Sequence, residues 1–451
     1  MMIFAMLLKE KIMTARLAQL VQYCETKTIK ATDRQRAYLH LLDWLACVAV
    51  AADSEPARAF GGILTDDGDS YAIAKGNYAL AQATLYNGAL GNILEMDDIH
   101  RSSILHPGPV IIASAFSLAM AKKHSLQSLL EAIVYGYEIT IRVGMAIGVS
   151  HYQKYHNTST CGVLGAAAAC GKLLDLDQQQ LLSAIANAAS STGGLWQMRH
   201  ENVMTKQWHN AQAALNGQLC AQLAKTGVTG VSTILEGPQG LFAATSSDSQ
   251  IENILAIDSN WKLHDCSFKP WPSCRHCHPA IDAFMQLHHH HYDFDRIEVE
   301  TYQDALTFCD RPIVTTTFEA KFSIQYCLAA LMTWGELKLQ HFESAMIESK
   351  QLQPLMNSIS IRLGKSQQAR YPQHYGAKIS LYKQQHVIAQ LDIVDTLGDP
   401  QKPMTMTQIQ HKVGHLTAAA GWQGIKPLVD FDLNETVTTW VELINQISTR
   451  K

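Results

Sequence analysis

From Ala15 to Ser249, apolar residues recur three and four positions apart, in runs broken by Gly, Pro and Asn, which is helical patterning. Small residues crowd the inner faces of these runs, as in Ala166 to Ala169, Ala184 to Ala189 and Ala211 to Ala214. Such faces let helix axes approach closely, so the stretch predicts an all-α bundle. Some starts are legible: Asp175-Leu176-Asp177 precedes a helix from about Gln178, and Pro107-Gly108-Pro109 precedes one from about Val110. The pattern changes after Cys266. Lys269-Pro270-Trp271-Pro272 predicts a hinge, because two prolines fix backbone angles and forbid helix there. Arg296 to Tyr302 alternates like a half-buried strand, and Lys321 to Trp334 reads as a helix. Ile359 to Leu363, Ala377 to Leu381 and Val387 to Ala389 then read as short strands of one sheet, and helical patterning returns from Met404. The expected architecture is mainly α: a large all-α helical domain of residues 1–266 and 401–451, with residues 267–400 inserted as a smaller α+β lid domain.

Composition supports a packed core and narrows the partners. Of 451 residues, 47% are apolar and 17% charged, which excludes a disordered chain. A formal net charge of −4 gives no electrostatic support for nucleic-acid binding. The apolar start Met1 to Leu8 is too short to span a bilayer and lacks a basic flank and cleavage site. The first dozen residues read as a frayed extension or an upstream start, with Met13 opening a more ordinary helical beginning. A cytosolic protein that does not engage a membrane is expected, and its ten cysteines should be reduced there.

Several familiar chemistries find no footing. Cys274-Arg275-His276-Cys277-His278 matches the haem-attachment spacing, but that attachment occurs outside the cytosol, and a zinc site would want a second Cys/His pair at regular spacing. It reads instead as a Cys- and His-bearing loop folded near a polar site, with His276 a candidate substrate contact. Gly171-Lys172-Leu173 lacks the glycine and hydroxyl residue of a phosphate loop, and neither G-x-G-x-x-G nor H-E-x-x-H occurs. His288 to His291 reads as a solvated helix end.

The densest chemistry lies in Glu95-Met96-Asp97-Asp98-Ile99-His100 and the following His106-Pro107-Gly108. Carboxylates and imidazoles beside apolar sequence are costly unless paired, solvated or used. If this segment is helical, Glu95 and Asp98 share a face and Asp97 points elsewhere. His156-Asn157-Thr158-Ser159-Thr160 leads into a helix expected near Cys161; the hydroxyls suit a cap, and a helix start also favours a carboxylate. Lys206 and Lys269 are each either snorkelling cations or carboxylate clamps, and Tyr326 is either a core aromatic or a hydroxyl donor.

Taken together the blocks resemble one family. Asn87 to Asn92, Glu95 to Asp98 with His106-Pro107-Gly108, and His156 to Gly162 occur in its order. So do Lys206 with Ala211 to Ala214, Leu235-Glu236-Gly237-Pro238-Gln239-Gly240, Lys269 to Cys274, and Phe322 to Tyr326. The chain is similar to the MmgE/PrpD family, which includes 2-methylcitrate dehydratase, cis-aconitate decarboxylase and iminodisuccinate epimerase. The resemblance implies a large helical domain, an α+β lid, a homodimer, and no metal or other cofactor. It also implies active-site roles for Glu95, His106, His156, Lys206, Lys269 and Tyr326. The decarboxylases carry Asp where Glu95 stands and a Thr near Ile99, and the dehydratases a different motif again.

The expected function is a cofactor-independent lyase on a small di- or tricarboxylate. Dehydration of the 2-methylcitrate type comes first, then decarboxylation, then epimerisation. A carboxylate-binding relative without activity is the alternative of another class. His106 and His156 would transfer protons, Glu95 or Asp98 would orient a histidine, and Tyr326 would donate to a leaving hydroxyl or enolate oxygen. Lys206 and Lys269 would clamp carboxylates, helped by Thr158, Ser159 and His276.

Overall fold

The computed structural model describes residues 15–201, 203–256, 258–290 and 292–448, so the extension expected over the first dozen residues and the last histidine of the His288–His291 run lie outside the described residues. The chain divides into two compact units. The larger takes in residues up to Ile93, then Asp97–Cys266 and everything from Thr405; the smaller takes in Leu94–Met96 and Ser267–Met404.

The larger unit is helical. Its long helices are α1 (Ala31–Ala51), α2 (Leu80–Leu90), α3 (Gly108–Ala121), α4 (Leu126–Ala146), α5 (Asn157–Leu173), α6 (Gln178–Ser190) and α7 (Thr205–Lys225), followed after the smaller unit by Met406–Ala419 and Val437–Ile447. The alanine-rich faces do what their pattern predicts: Ala166 to Ala169 and Ala211, Ala213 and Ala214 are almost fully buried. Where α4 meets α5 the backbones nearly touch, since a Cβ on Gly165 would fall 2.5 Å from the Gly136 carbonyl oxygen. α6 begins where expected, with Asp177 accepting from the Gln180 N–H and the Gln180 side chain accepting from Asp177 N–H. One short antiparallel hairpin, Ser70–Ala72 with Gly76–Tyr78, departs from the all-α expectation. No single described helix is long and apolar enough to cross a membrane.

The smaller unit is α+β. Strands β1 (Arg296–Thr301), β2 (Ile359–Leu363), β3 (Ala377–Lys383) and β4 (His386–Ile393) form one sheet in the order β2-β1-β3-β4. β1 and β2 are parallel and the other pairs antiparallel, with Val299 opposite both Ile361 and Ile379. The alternation along β1 turns Ile297, Val299 and Thr301 inward. Helices α8 (His278–His288) and α9 (Ile324–Trp334) bring Phe284, Ile324 and Leu328 into the same core. The helix expected over Lys321–Trp334 is interrupted: Thr317–Lys321 is a separate short helix, and Ser323 caps α9 by accepting from the Tyr326 N–H. A capping hydroxyl competes with helix continuation, which the apolar periodicity alone did not reveal.

Candidate active site

Residues 95–98 are not helical. Glu95 adopts a left-handed backbone with φ of 56°, which breaks any shared face between it and Asp98. Asp98 is buried, and its carboxylate is filled by three donors from three elements. Oδ1 accepts from the Gly108 N–H at 3.0 Å, and Oδ2 from the Tyr137 hydroxyl at 2.7 Å and from His40 Nδ1 at 2.8 Å. Burial works against this charge, yet the His40 hydrogen bond and charge, with the Tyr137 hydroxyl, hold the carboxyl below its usual range. Burial keeps the His40 imidazole below its own usual range, against the pull of Asp98. The pair is thus a carboxylate and a neutral imidazole donating from Nδ1. Gly108 has no room for a side chain, because a Cβ would lie 2.7 Å from Asp98 Oδ1.

This anchored loop presents His106. Its Nδ1 lies 2.9 Å from the Asp98 carbonyl oxygen and 2.9 Å from Asp97 Oδ2. Both are acceptors, so Nδ1 carries a hydrogen and Nε2 is left as the basic nitrogen. Asp97 is itself fixed by the Asn92 amide at 2.7 Å. The ring hydrogen is bonded by the Asp98 carbonyl, the Asp97 carboxylate is the charge that lies beside it, and Glu95 belongs to the smaller unit. His100, the other imidazole of the motif, turns inward, its Nδ1 accepting from the Ser103 N–H and lying 2.7 Å from that residue's hydroxyl.

The second imidazole stands at the head of α5. That helix starts at Asn157, four residues earlier than the hydroxyl run suggested, and His156 is its N-cap residue without a capping side chain. Thr158 and Ser159 consequently lie in the first turn and hold histidines. Thr158 Oγ1 accepts from the His106 N–H at 3.0 Å, and the Ser159 hydroxyl donates to the His209 carbonyl at 3.2 Å. The N–H groups of Ser159 and Thr160 donate to the His156 carbonyl within this first turn. His156 Nδ1 faces His209 Nδ1 at 3.3 Å, an arrangement that needs one ring to donate and the other to accept. Burial, then the neighbouring His209, Lys206 and His106, hold His156 well below the usual imidazole range; burial brings His209 down to about 4. Lys206 lies in the first turn of α7, half-buried and close enough to disfavour a proton on His156.

The smaller unit places its candidates differently. Lys269 is fully buried, with Nζ 3.0 Å from the Glu95 carbonyl oxygen and 3.6 Å from Glu95 Oε2. Tyr326 is a core aromatic whose hydroxyl donates to the His341 carbonyl. His276 bonds through Nδ1 to the Tyr302 hydroxyl at 2.7 Å and lies stacked on the rings of Phe308 and Tyr375. His40, Tyr137 and His209 escaped sequence reasoning. Nothing near His40 or Tyr137 marks them, whereas His209, three positions after Lys206 on one helix face, was within reach.

Family models match both parts of the chain. The N-terminal MmgE/PrpD domain matches residues 15–254, and the C-terminal MmgE/PrpD domain matches residues 271–423. The chain belongs to the MmgE/PrpD family. It is 27% identical over 371 residues to a cis-aconitate decarboxylase-like protein, oryM, of Aspergillus oryzae, covering 74% of this chain and 76% of that one. It is 27% identical to the cis-aconitate decarboxylase of Mus musculus and 26% to that of Homo sapiens, in each case over 62% of this chain and 60% of the relative. Family members of this kind are lyases.

Proposed function

We propose that this protein is a lyase that moves a proton next to a carboxylate of a small di- or tricarboxylate. One observation carries the reading: His106 Nδ1 is bonded to the Asp98 carbonyl with the Asp97 carboxylate 2.9 Å away, so Nε2 is the nitrogen left to carry a proton. Asp97 stands ready to offset the charge that His106 gains when Nε2 takes a proton. His156, held neutral by burial and by the neighbouring His209, Lys206 and His106, acts as hydrogen-bond partner or acceptor. Lys206 supplies positive charge for a substrate carboxylate. Lys269 is the smaller unit's own candidate carboxylate clamp, with Glu95 beside it.

Decarboxylation and dehydration both begin from such a set, because each needs a base or acid beside a carbon flanked by carboxylates. The named relatives favour a cis-aconitate-type decarboxylation over the 2-methylcitrate-type dehydration that motif order alone put first. Proton NMR of the protein in D₂O with cis-aconitate, 2-methylcitrate, citrate and iminodisuccinate in separate tubes tests the class. Itaconate formation is the expected outcome; a new alkene from 2-methylcitrate would restore the dehydratase reading. No turnover and no C–H exchange in any tube, with binding retained, would favour the carboxylate-binding alternative.

A homodimer in the cytosol completes the proposal. Trp208, Leu219 and Leu223 line one exposed face of α7, with exposed Val228 and Val231 following it, and a second copy would cover them. Sedimentation should return twice the chain mass. All ten cysteines are free thiols, which suits a reducing compartment.

A further inference from the structure

The helix that follows the smaller unit in the chain, α10 (Met406–Ala419), belongs to the larger unit and carries none of the candidate active-site residues. Its inner face is fixed. Ile409, Val413, Leu416 and Thr417 are buried, and Lys412, also buried, places Nζ 2.6 Å from Asp43 Oδ1 on α1. At its start Thr405 Oγ1 accepts from the Gln408 N–H at 3.2 Å, and the Gln408 side chain accepts from the Thr405 N–H at 2.8 Å. A helix held at its start and along its inner face presents its outer face in one direction.

Two exposed imidazoles stand on that outer face. His411 and His415 are one helical turn apart, and their Nε2 atoms lie 3.2 Å from each other. The rings meet edge to face, at 89° with centroids 4.2 Å apart, and both Nε2 atoms are at the contact. One hydrogen can bridge such a pair, with one ring donating and the other accepting. A metal ion fits the same gap: with metal–nitrogen bonds of about 2.0–2.1 Å, nitrogens 3.2 Å apart subtend about 100–105° at the metal. That angle lies between those of square-planar and tetrahedral centres, the geometries of copper and zinc. The pair's neighbours on the helix surface carry no charge: Thr407 and Gln408 lie a turn before His411, and Ala418 and Ala419 a turn after His415, all four exposed.

The spacing is that of the two histidines in H-E-x-x-H, which bind zinc from one helix face. Here Lys412 stands where that motif has its glutamate, and it is turned inward to Asp43, so the pair offers a chelate without a general base. Among the described residues no group of three or more His, Cys, Asp or Glu is arranged to hold a metal ion. The pair therefore supplies two protein ligands and leaves the remaining positions to water.

We propose that His411 and His415 form a surface chelate site for a divalent, imidazole-preferring cation of the zinc and copper kind, which tightens α10 and takes no part in turnover. On binding, both rings offer a neutral Nε2 and carry their hydrogens on Nδ1. The chelate needs both histidines on adjacent turns, so the ion binds the folded helix in preference to the unfolded chain and stabilises it.

The test uses the full chain with Zn²⁺ alone, followed by calorimetry and by hydrogen exchange read peptide by peptide. The expected result is a tightest site of one Zn²⁺ per chain, with exchange slowed in the peptide covering Met406–Ala419. His411→Gln and His415→Gln, both at exposed positions, should each weaken that site on the order of 10²-fold, since the second ligand binds intramolecularly, and should remove the protection. The His288–His291 run offers competing imidazoles, so His289→Gln/His290→Gln is the control and should bind as the parent does. Undiminished affinity in His411→Gln or His415→Gln, protection that falls outside α10, or no saturable binding would mean an adventitious ion only and overturn the proposal.

Discussion

The two units use the same side-chain types to opposite ends. In the larger unit, His106 is fixed through one ring nitrogen by Asp97 and the Asp98 carbonyl, and its other nitrogen stays basic. In the smaller unit, Tyr326 gives its hydroxyl to the His341 carbonyl, and His276 lies stacked between Phe308 and Tyr375. A polar group serves chemistry only if packing leaves one of its donors or acceptors uncommitted, and motif spacing does not say which nitrogen or hydrogen that will be. Asp97 and Asp98 repeat the contrast within two residues. Asp98 is saturated by three donors and holds the loop together, whereas Asp97 spends one oxygen on Asn92 and directs the other to His106.

Breaking the larger unit's arrangement should have the largest effects. His106→Asn is expected to lower kcat by about 10²- to 10⁴-fold with the melting transition kept, since that is the usual contribution of a positioned acid or base. Loss of folding instead would make His106 structural. The adjacent carboxylates should then separate. Asp97→Asn should lower kcat by about 10²-fold with little change in urea midpoint. Asp98→Asn sets an amide against three donors and should cost about 3 kcal/mol of stability. Equal stability losses for both would collapse the distinction.

Acid should also tell the units apart. His100, His151 and His209 are brought by burial to about 3, 4 and 4, and His40 and His156 lie lower than usual as well. Their unfolded forms bind protons below about 6.5 while the folded forms do not, so this stability is whole above that pH and falls as pH drops toward 4. Each contributes a slope of up to about 1.4 kcal/mol per pH unit. Asp43, pushed up mainly by burial to about 6, opposes one of them over the same window. In the smaller unit His341 is shifted the same way, against the five named in the larger unit. Hydrogen exchange at pH 5 against pH 7 should therefore loosen the larger unit first; uniform loosening would contradict the contrast. The smallest effect belongs to Tyr326→Phe, expected to cost about 1 kcal/mol and leave kcat within about twofold. A large kcat loss at unchanged stability would return that hydroxyl to the chemistry.

Much of this was legible in the chain itself. Apolar periodicity placed the helices of the larger unit and the four short strands, because burial on one face leaves a direct mark on sequence. His106, His156 and Lys206 stood out as candidates in the same way, since titratable groups beside apolar runs are rare without a reason. What failed were statements about direction. The helical reading of 95–98 put Asp97 on the wrong side, because a single left-handed residue at Glu95 resets where every later side chain points. The hydroxyls at Thr158 and Ser159, read as a cap or an anion site, also hold His106 and His209. His40 and Tyr137 carry no local signal, because their partner Asp98 is 58 and 39 positions away and only folding brings them together.

The central claim is that His106 carries its resting hydrogen on Nδ1 and keeps Nε2 basic. Long-range proton–nitrogen NMR on chain labelled with ¹⁵N-histidine reads this directly, with the His106 signals assigned by their absence in His106→Asn. At neutral pH the account predicts a protonated Nδ1 and an unprotonated Nε2, with Asp97→Asn disturbing both resonances. A resting His106 protonated on Nε2 alone would contradict it.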